Sequence, residues 1–506
     1  MAISVLDVAF VGLALWLVKQ TLSRKRSSLP LPPGPPGLPV VGNVADIPTT
    51  QPYKTYIEWG QKYGPLMHIS ALGQPLIIVN DVKIAIDLLD KKSALYSDRP
   101  TLRMAGELTG WDNTLVLQHY DERLKEYRRY IHRFLGTRSN LERFHPLFEH
   151  ESRLMLKRIV ESPEDFAGLI RHAAGAIIMK MTYGYSIRDD KDPFVSLVDQ
   201  ATTEFGDVTD ARKVWFVDLI PALKYVPEWV PGATFQKVAK AYGQTLKDMA
   251  DVPMNWVKQR MAAGEAESCF VTDLLEESGR TAQEERNIKW AAASLYSGGA
   301  DTTVATLHTF FLCMTLFPDA QRKAQEEIDS VIGPDRLPTF ADRHRLPYVE
   351  AVLSEVLRWG PVGPIDIPHL LMEDDVYNGY FIPKGSIVFA NIWAMLHDAN
   401  TYADPMEFKP ERFIARPGKP AEQDPRACSF GFGRRACPGM TLAETTVWLW
   451  IATALATLNV SKARDADGVE ITPSGRYLDG TIAHPEPFKC SIKPRSPATE
   501  ALINYD

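Results

Sequence analysis

Cysteine is scarce in this chain of 506 residues. Cys269, Cys313, Cys428, Cys437 and Cys490 form an odd set without a C-x-x-C pair, which fits neither a disulfide framework nor a structural zinc site. A chain with so little to cross-link belongs in a reducing compartment. Surplus positive charge is also missing. With 63 acidic against 56 basic residues the net charge is -7, and a nucleic-acid binder needs a basic footprint. No internal repeat or low-complexity tract is present, and no shift of composition divides the chain. At 45% hydrophobic residues it can bury a large core around a cofactor.

One long apolar run is present, Val8 to Val18, extended by Ala2, Ile3, Val5 and Leu6. With its flanks it reaches the roughly 20 residues that a bilayer requires. Lys19, Arg24, Lys25 and Arg26 follow, so the positive-inside rule puts the body in the cytoplasm. A cleaved secretory peptide is disfavoured because the charges come after the run and no A-x-A-like site follows. Residues 1–22 are therefore expected to be a single transmembrane signal anchor. Residues 23–39, basic and then proline-rich through Leu31-Pro32-Pro33-Gly34-Pro35-Pro36-Gly37-Leu38-Pro39, should be a stiff extended strut, and residues 40–506 one globular domain.

From about Tyr53 helical patterns dominate. Strand-like runs are confined to a hairpin, Met67-His68-Ile69 with Leu76 to Val79 around Gly73-Gln74, and to Ser386–Ala390 after Pro383-Lys384-Gly385. The expected fold is mainly α with small β-sheets.

The most informative residue is Cys437, in Phe430-Gly431-Phe432-Gly433-Arg434-Arg435-Ala436-Cys437-Pro438-Gly439. Glycines bracket it where a chain turns tightly or lets a flat ligand approach, and Arg435 is placed to stabilise negative charge. This F-x-x-G-x-R-x-C-x-G run resembles the haem-ligand loop of the cytochrome P450 family. The resemblance implies a P450 fold with haem b, whose iron takes Cys437 as its axial thiolate. Such a ligand pushes electron density onto iron and favours O–O cleavage. In the loop, Phe430, Gly433 and Gly439 would shape the cofactor's bed, and Arg435 would pair with a propionate.

A second motif, Gly298-Gly299-Ala300-Asp301-Thr302-Thr303, lies in an apolar helix expected from about Asn287 to Phe317. Each mid-helix glycine costs about 1 kcal/mol against alanine. Either a cofactor or ligand comes close there, or a neighbouring helix packs through the pair. The resemblance selects Thr302 as the hydroxyl that bonds iron-bound dioxygen and Asp301 as the acid that helps relay protons. Glu355-Val356-Leu357-Arg358 puts opposite charges on one helical face, ordinarily a weak surface pair. With Phe408-Lys409-Pro410-Glu411-Arg412-Phe413, the resemblance makes Glu355, Arg358 and Arg412 a buried structural network.

The family's W-x-x-x-R helix corresponds to Leu124-Lys125-Glu126-Tyr127-Arg128, where leucine replaces the tryptophan. By resemblance Arg128 and His369 would serve the propionates, with Lys125 compensating in part for the lost indole. The substrate pocket would be lined by Leu102, Met104, Leu108, Trp111, Leu115, Trp215, Phe216, Leu295, Val362, Ile365 and Ile482, with Asp366 and Asp479 as polar anchors. Arg129, His132, Arg133 and Arg434 would present positive charge to an acidic partner.

The resemblance runs through nearly the whole chain and is strongest to fungal microsomal members, the group similar to O-methylsterigmatocystin oxidoreductase. It implies a monooxygenase of the endoplasmic reticulum membrane, its body facing the cytosol. The enzyme would insert one oxygen atom from O2 into a lipophilic molecule, such as a terpenoid or polyketide intermediate of secondary metabolism. Electrons would come from NADPH through a separate cytochrome P450 reductase, with cytochrome b5 as an auxiliary donor. Xenobiotic or fatty-acid oxidation, a haem-thiolate isomerase or dehydratase, and a non-catalytic haem protein are the alternatives.

Overall fold

The computed structural model describes residues 28–187, 192–210, 212–277 and 279–504, so the expected anchor lies outside the described residues. Among those described, no single helix is long and apolar enough to cross a membrane. One bent pair, Ala282–Leu316 with Pro318–Val331, passes by length and composition, but much of its first member is buried core.

The described residues fall into two compact units. The smaller takes those up to Pro100, with Ile365–Met395 and Phe432–Arg435; the larger takes Thr101–Pro364, Leu396–Gly431 and those from Ala436 onward.

In the smaller unit, strands Leu66–Ala71 and Gln74–Val79 pair antiparallel. Their turn is Leu72-Gly73, one residue earlier than expected, because both residues take the positive φ (47° and 84°) that a tight hairpin requires. Ile387–Ala390 adds in parallel to Gln74–Val79, and His369–Leu370 completes the four-stranded sheet. Tyr56, Met67, Ile69 and Ile78 form a core against it. The described part of the proline-rich segment is hydrogen-bonded to the smaller unit. Prolines lack the N–H but keep the carbonyl, and Pro30 O and Pro33 O accept from Phe381 and His68 N–H at 2.8 and 3.0 Å.

The larger unit is helical. At its centre runs Ala282–Leu316, 35 residues opened by a capping box between Thr281 and Glu284, which starts it ahead of the expected Asn287. It packs on Phe166–Tyr183, Glu122–Leu135 and Met440–Thr457. A three-stranded sheet that the sequence reading did not anticipate joins Leu458–Arg464 to Cys490–Pro494 and Glu470–Ile471. Its first strand continues directly from a helix with no glycine or proline to mark the change, and only the burial of Leu458 and Val460 around exposed Asn459 shows the strand period.

Candidate active site

The cysteine loop is shaped by backbone geometry. Gly431 and Gly433 have φ of 74° and 51°, and a Cβ on Gly433 would stand 2.3 Å from Leu89 O, so both glycines are required. Cys437 N–H donates to Phe430 O at 2.8 Å, and Gly439 caps the helix Met440–Thr457. Burial raises the Cys437 thiol above its ordinary pKa; the Gly439 N–H, the Arg128 charge and the Met440 N–H oppose this in part. The cysteine residue is nonetheless exposed to the surface of the protein. A soft sulfur, partly relieved by two peptide N–H groups and one guanidinium, fits a haem iron. A bound metal deprotonates such a thiol outright.

The relieving charge is not the expected one. Arg435 Nε donates to Ser97 O at 2.6 Å in the smaller unit, whereas Arg128 Nη1 donates to Ala436 O at 2.9 Å, the carbonyl just before the cysteine. Fully buried Leu124 stands where the family has tryptophan, and Lys125 pairs at the surface with Glu122 at 2.6 Å.

The central helix divides the roles of its two glycines. A Cβ on Gly298 would meet nothing within 4 Å, whereas one on Gly299 would stand 2.9 Å from Ile178 Cδ1 on Phe166–Tyr183. Gly299 is thus the helix-packing glycine, and Gly298 leaves open space. Thr302 lies one turn on, its hydroxyl donating to Gly298 O at 2.8 Å. Thr303 donates to Gly299 O at 3.1 Å instead.

Asp301 is anchored by two residues to which the sequence reading gave no such role. Arg171 Nη1 donates to its Oδ1 at 2.8 Å, and His484 Nε2 meets its Oδ2 at 3.1 Å. Burial alone would raise this carboxyl, but the His484 bond and the charges of His484 and Arg171 outweigh it and hold the group below its ordinary value. Asp301 is therefore a carboxylate at rest rather than a free acid.

Glu355, Arg358 and Arg412 do meet. Glu355, wholly buried, takes Arg358 through both carboxylate oxygens (2.6 and 2.9 Å), Arg412 Nε at 3.1 Å and Lys409 N–H at 2.7 Å. Arg358 also ties the carbonyls of Leu396, Pro405 and Glu407, and Arg412 bonds Glu422. This is a buried, hydrogen-bonded network, not a surface pair.

In the smaller unit a buried cluster contains His369 and Arg435 and adds Arg99, which the sequence reading passed over. Arg99 donates to Ile367 O at 2.6 Å and to Pro368 O at 2.8 Å. The available signal was an arginine within Ser97-Asp98-Arg99-Pro100, immediately after buried Tyr96.

Of the expected pocket, Met104, Trp111 and Leu295 are buried in the larger unit, Trp111 against Phe205 at 4.5 Å. Three assignments change. Phe216 is 67% exposed, Ile365 packs into the small-unit core, and Asp366 bonds Ala390 N–H at 2.8 Å in the same unit. Arg129, His132 and Arg133 are exposed on Glu122–Leu135, Arg133 paired with Glu277, whereas Arg434 belongs to the smaller unit.

A glycine-shaped cysteine loop, an acid-alcohol pair on a long helix and a buried Glu-Arg-Arg network define a haem-thiolate protein. Comparison with known proteins agrees. The family model "Cytochrome P450" matches residues 32–491. Cytochrome P450 monooxygenase claR of Ampulloclitocybe clavipes is 48% identical, covering 99% of this chain and 93% of its own. Cytochrome P450 monooxygenase 208 of Postia placenta is 49% identical, covering 95% and 93%. A zebrafish cytochrome P450 solved with abiraterone superposes with a TM-score of 0.70 at 23% identity, over 88% of this chain and all of that one, and so shares the fold. The chain belongs to the cytochrome P450 family and is a monooxygenase of that family, whose chemistry implies haem-thiolate iron and O2.

Proposed function

We propose that this monooxygenase hydroxylates or epoxidises a lipophilic intermediate of fungal secondary metabolism, of terpenoid or polyketide type, using electrons from an NADPH-dependent reductase with cytochrome b5 as auxiliary donor. It works from the endoplasmic reticulum membrane, anchored by residues 1–22 with its body in the cytosol. The observation that carries the reading is the open ground beside Thr302: Gly298 contributes no side chain, and a Cβ there would meet nothing. Haem bound through Cys437 supplies oxygen activation. The protein's own part is to set the charge of that sulfur with Arg128 and two peptide N–H groups, and to hold the Thr302 hydroxyl and the Asp301 carboxylate in fixed places. Within the smaller unit, the buried cations Arg99 and Arg435 are the candidate partners for a propionate.

The kinship with fungal monooxygenases supports the secondary-metabolite assignment. The test is turnover with a fungal reductase, NADPH and isotopically labelled O2 against a panel of terpenoids, polyketides and fatty acids. One labelled oxygen atom in a terpenoid or polyketide product is expected. Product formed without NADPH or O2 consumption would instead identify an isomerase or dehydratase, and preference for fatty acids would overturn the substrate class.

A further inference from the structure

Asp366 was expected to anchor substrate, yet it is buried in the smaller unit among groups of that unit. Its Oδ1 accepts from Ala390 N–H at 2.8 Å and its own N–H donates to Ala390 O at 3.0 Å, while Oδ2, also buried, makes no hydrogen bond. Facing Oδ2 at 3.4 Å is Nε2 of buried His369. The other ring nitrogen, Nδ1, lies 2.6 Å from Tyr96 O. A carbonyl only accepts, so Nδ1 carries a proton. Burial, with the positive charges of Arg99 and Arg435, holds the imidazole far below its ordinary pKa, so the ring is neutral and Nε2 is a bare acceptor. Two acceptors, Nε2 and Oδ2, thus face each other in the interior. The contact is repulsive unless a proton lies between them.

The proton belongs to the carboxyl. Burial pushes Asp366 up to about 7; the Ala390 N–H and the Arg99 charge oppose this, but less strongly. Arg99 donates to two carbonyls, Ile367 O and Pro368 O. We propose that Asp366 is a neutral carboxylic acid whose Oδ2–H is directed at Nε2 of His369, making it the positioning residue that fixes this imidazole beside Arg99 and Arg435. The charged and titratable groups facing the pair are Arg99, on the segment leading to Pro100, and Arg435, on Gly433–Arg435.

The experiment uses the haem-loaded full chain with Asp366→Asn and Asp366→Leu. An infrared difference spectrum, wild type minus Asp366→Asn, should show a protonated-carboxyl C=O band at pH 5.5 that shifts in D2O and is lost by pH 9. Asparagine can donate to Nε2 while accepting from Ala390 N–H, so Asp366→Asn should stay close to wild type in thermal midpoint at pH 6, and leucine should not. The folded carboxyl holds its proton more tightly than the unfolded one. Stability is therefore fully present below the unfolded value, near 4, and is lost as pH rises through about 7. The folding equilibrium of wild type relative to Asp366→Asn should fall roughly 50-fold from pH 5 to pH 7. A carboxylate spectrum at pH 5.5, or equal loss in the asparagine and leucine variants, would overturn the proposal and make Asp366 a counter-ion of Arg99. Because the infrared band needs no turnover, this failure is distinct from failure of the oxygenation reading.

Discussion

Replacing Gly298 with alanine is expected to stabilise the protein and impair it at the same time, whereas the same change at Gly299 does neither. In a helix interior alanine is favoured over glycine by about 1 kcal/mol. At Gly298 the new methyl meets no protein atom within 4 Å, so no packing clash offsets the gain, about fivefold in the folding equilibrium. At Gly299 the methyl would stand 2.9 Å from Ile178 Cδ1 and 3.0 Å from its Cγ1. Overpacking of this kind costs about 1–3 kcal/mol, which cancels or reverses the gain. Truncating the opposing residue separates the terms. Ile178→Ala alone costs about 2–5 kcal/mol as a cavity, but in Gly299→Ala/Ile178→Ala the new methyl partly fills that cavity and the clash is gone, so the pair should couple favourably by about 1–3 kcal/mol. The assay is a set of denaturation midpoints for haem-loaded wild type, Gly299→Ala, Ile178→Ala and their double variant, with Gly298→Ala and Gly298→Ala/Ile178→Ala as uncoupled controls. In parallel, substrate-induced shifts of the Soret band should weaken in Gly298→Ala, whose methyl occupies the ground beside Thr302, and persist in Gly299→Ala. Equal stabilisation at both positions, or coupling of Ile178 to Gly298, would refute the division of roles.

Cys437→Ala should abolish the long-wavelength Soret band of the reduced carbon-monoxide complex while circular dichroism is retained, because the loop closes through the backbone bond from Cys437 N–H to Phe430 O rather than through sulfur. Glu355→Gln leaves two buried guanidiniums with one anion fewer, and should cost about 3–5 kcal/mol, read as a large drop in thermal midpoint and haem-loaded yield. For Asp301, whose native carboxyl ionises more readily than the unfolded one, pairing with Arg171 and His484 stabilises the protein above about pH 4, and this contribution drains away as pH falls through the native value. Asp301→Asn should therefore be less stable than wild type at pH 7 and approach it in acid, as followed by denaturant midpoints between pH 3 and 7.

What was legible in the sequence was whatever lies close along the chain. The cysteine loop carries its turn glycines and its sulfur within ten residues, and Glu355-Val356-Leu357-Arg358 shows its ion pair through helical spacing. Burial was not legible from spacing, and it was the resemblance that gave Glu355, Arg358 and Arg412 as a buried network, as they are. Arg412 joins Glu355 from 57 residues away, and only that convergence turns a weak surface motif into an interior network. The partners of Asp301 come from 130 and 183 residues away, and although His484 opens the family-like tail His484-Pro485-Glu486-Pro487-Phe488, no local pattern ties it or Arg171 to Asp301. A greasy composition likewise did not say where each apolar side chain goes: Ile365 serves the sheet core and Phe216 faces out. The missed sheet follows the same rule, since Leu458–Arg464 is specified by its pairing with Cys490–Pro494 and not by local turn residues.

Two aspartates show how far neighbours decide chemistry. Asp366 has one peptide N–H, while the Nη1 of its neighbouring guanidinium donates to two carbonyls, so burial wins and the proton stays. Asp301 has a guanidinium on one oxygen and an imidazole on the other, so its donors win and the proton leaves. The relay role that the resemblance gives Asp301 then has a condition. A resting carboxylate has no proton to give and must first receive one, and of its two partners only His484 can release a proton, since arginine does not. The neighbouring His308, its ring centroid 5.9 Å from that of His484, is held neutral by burial at a pKa of about 4 and is a poor reservoir. His484→Gln keeps an N–H donor for Asp301 Oδ2 but carries no transferable proton. With reductase and NADPH, it should release more peroxide per NADPH and raise the solvent isotope effect on product formation, with an unchanged carbon-monoxide spectrum. Undiminished coupling in His484→Gln would mean that protons reach Asp301 by another route, and that His484 serves only to orient the carboxylate.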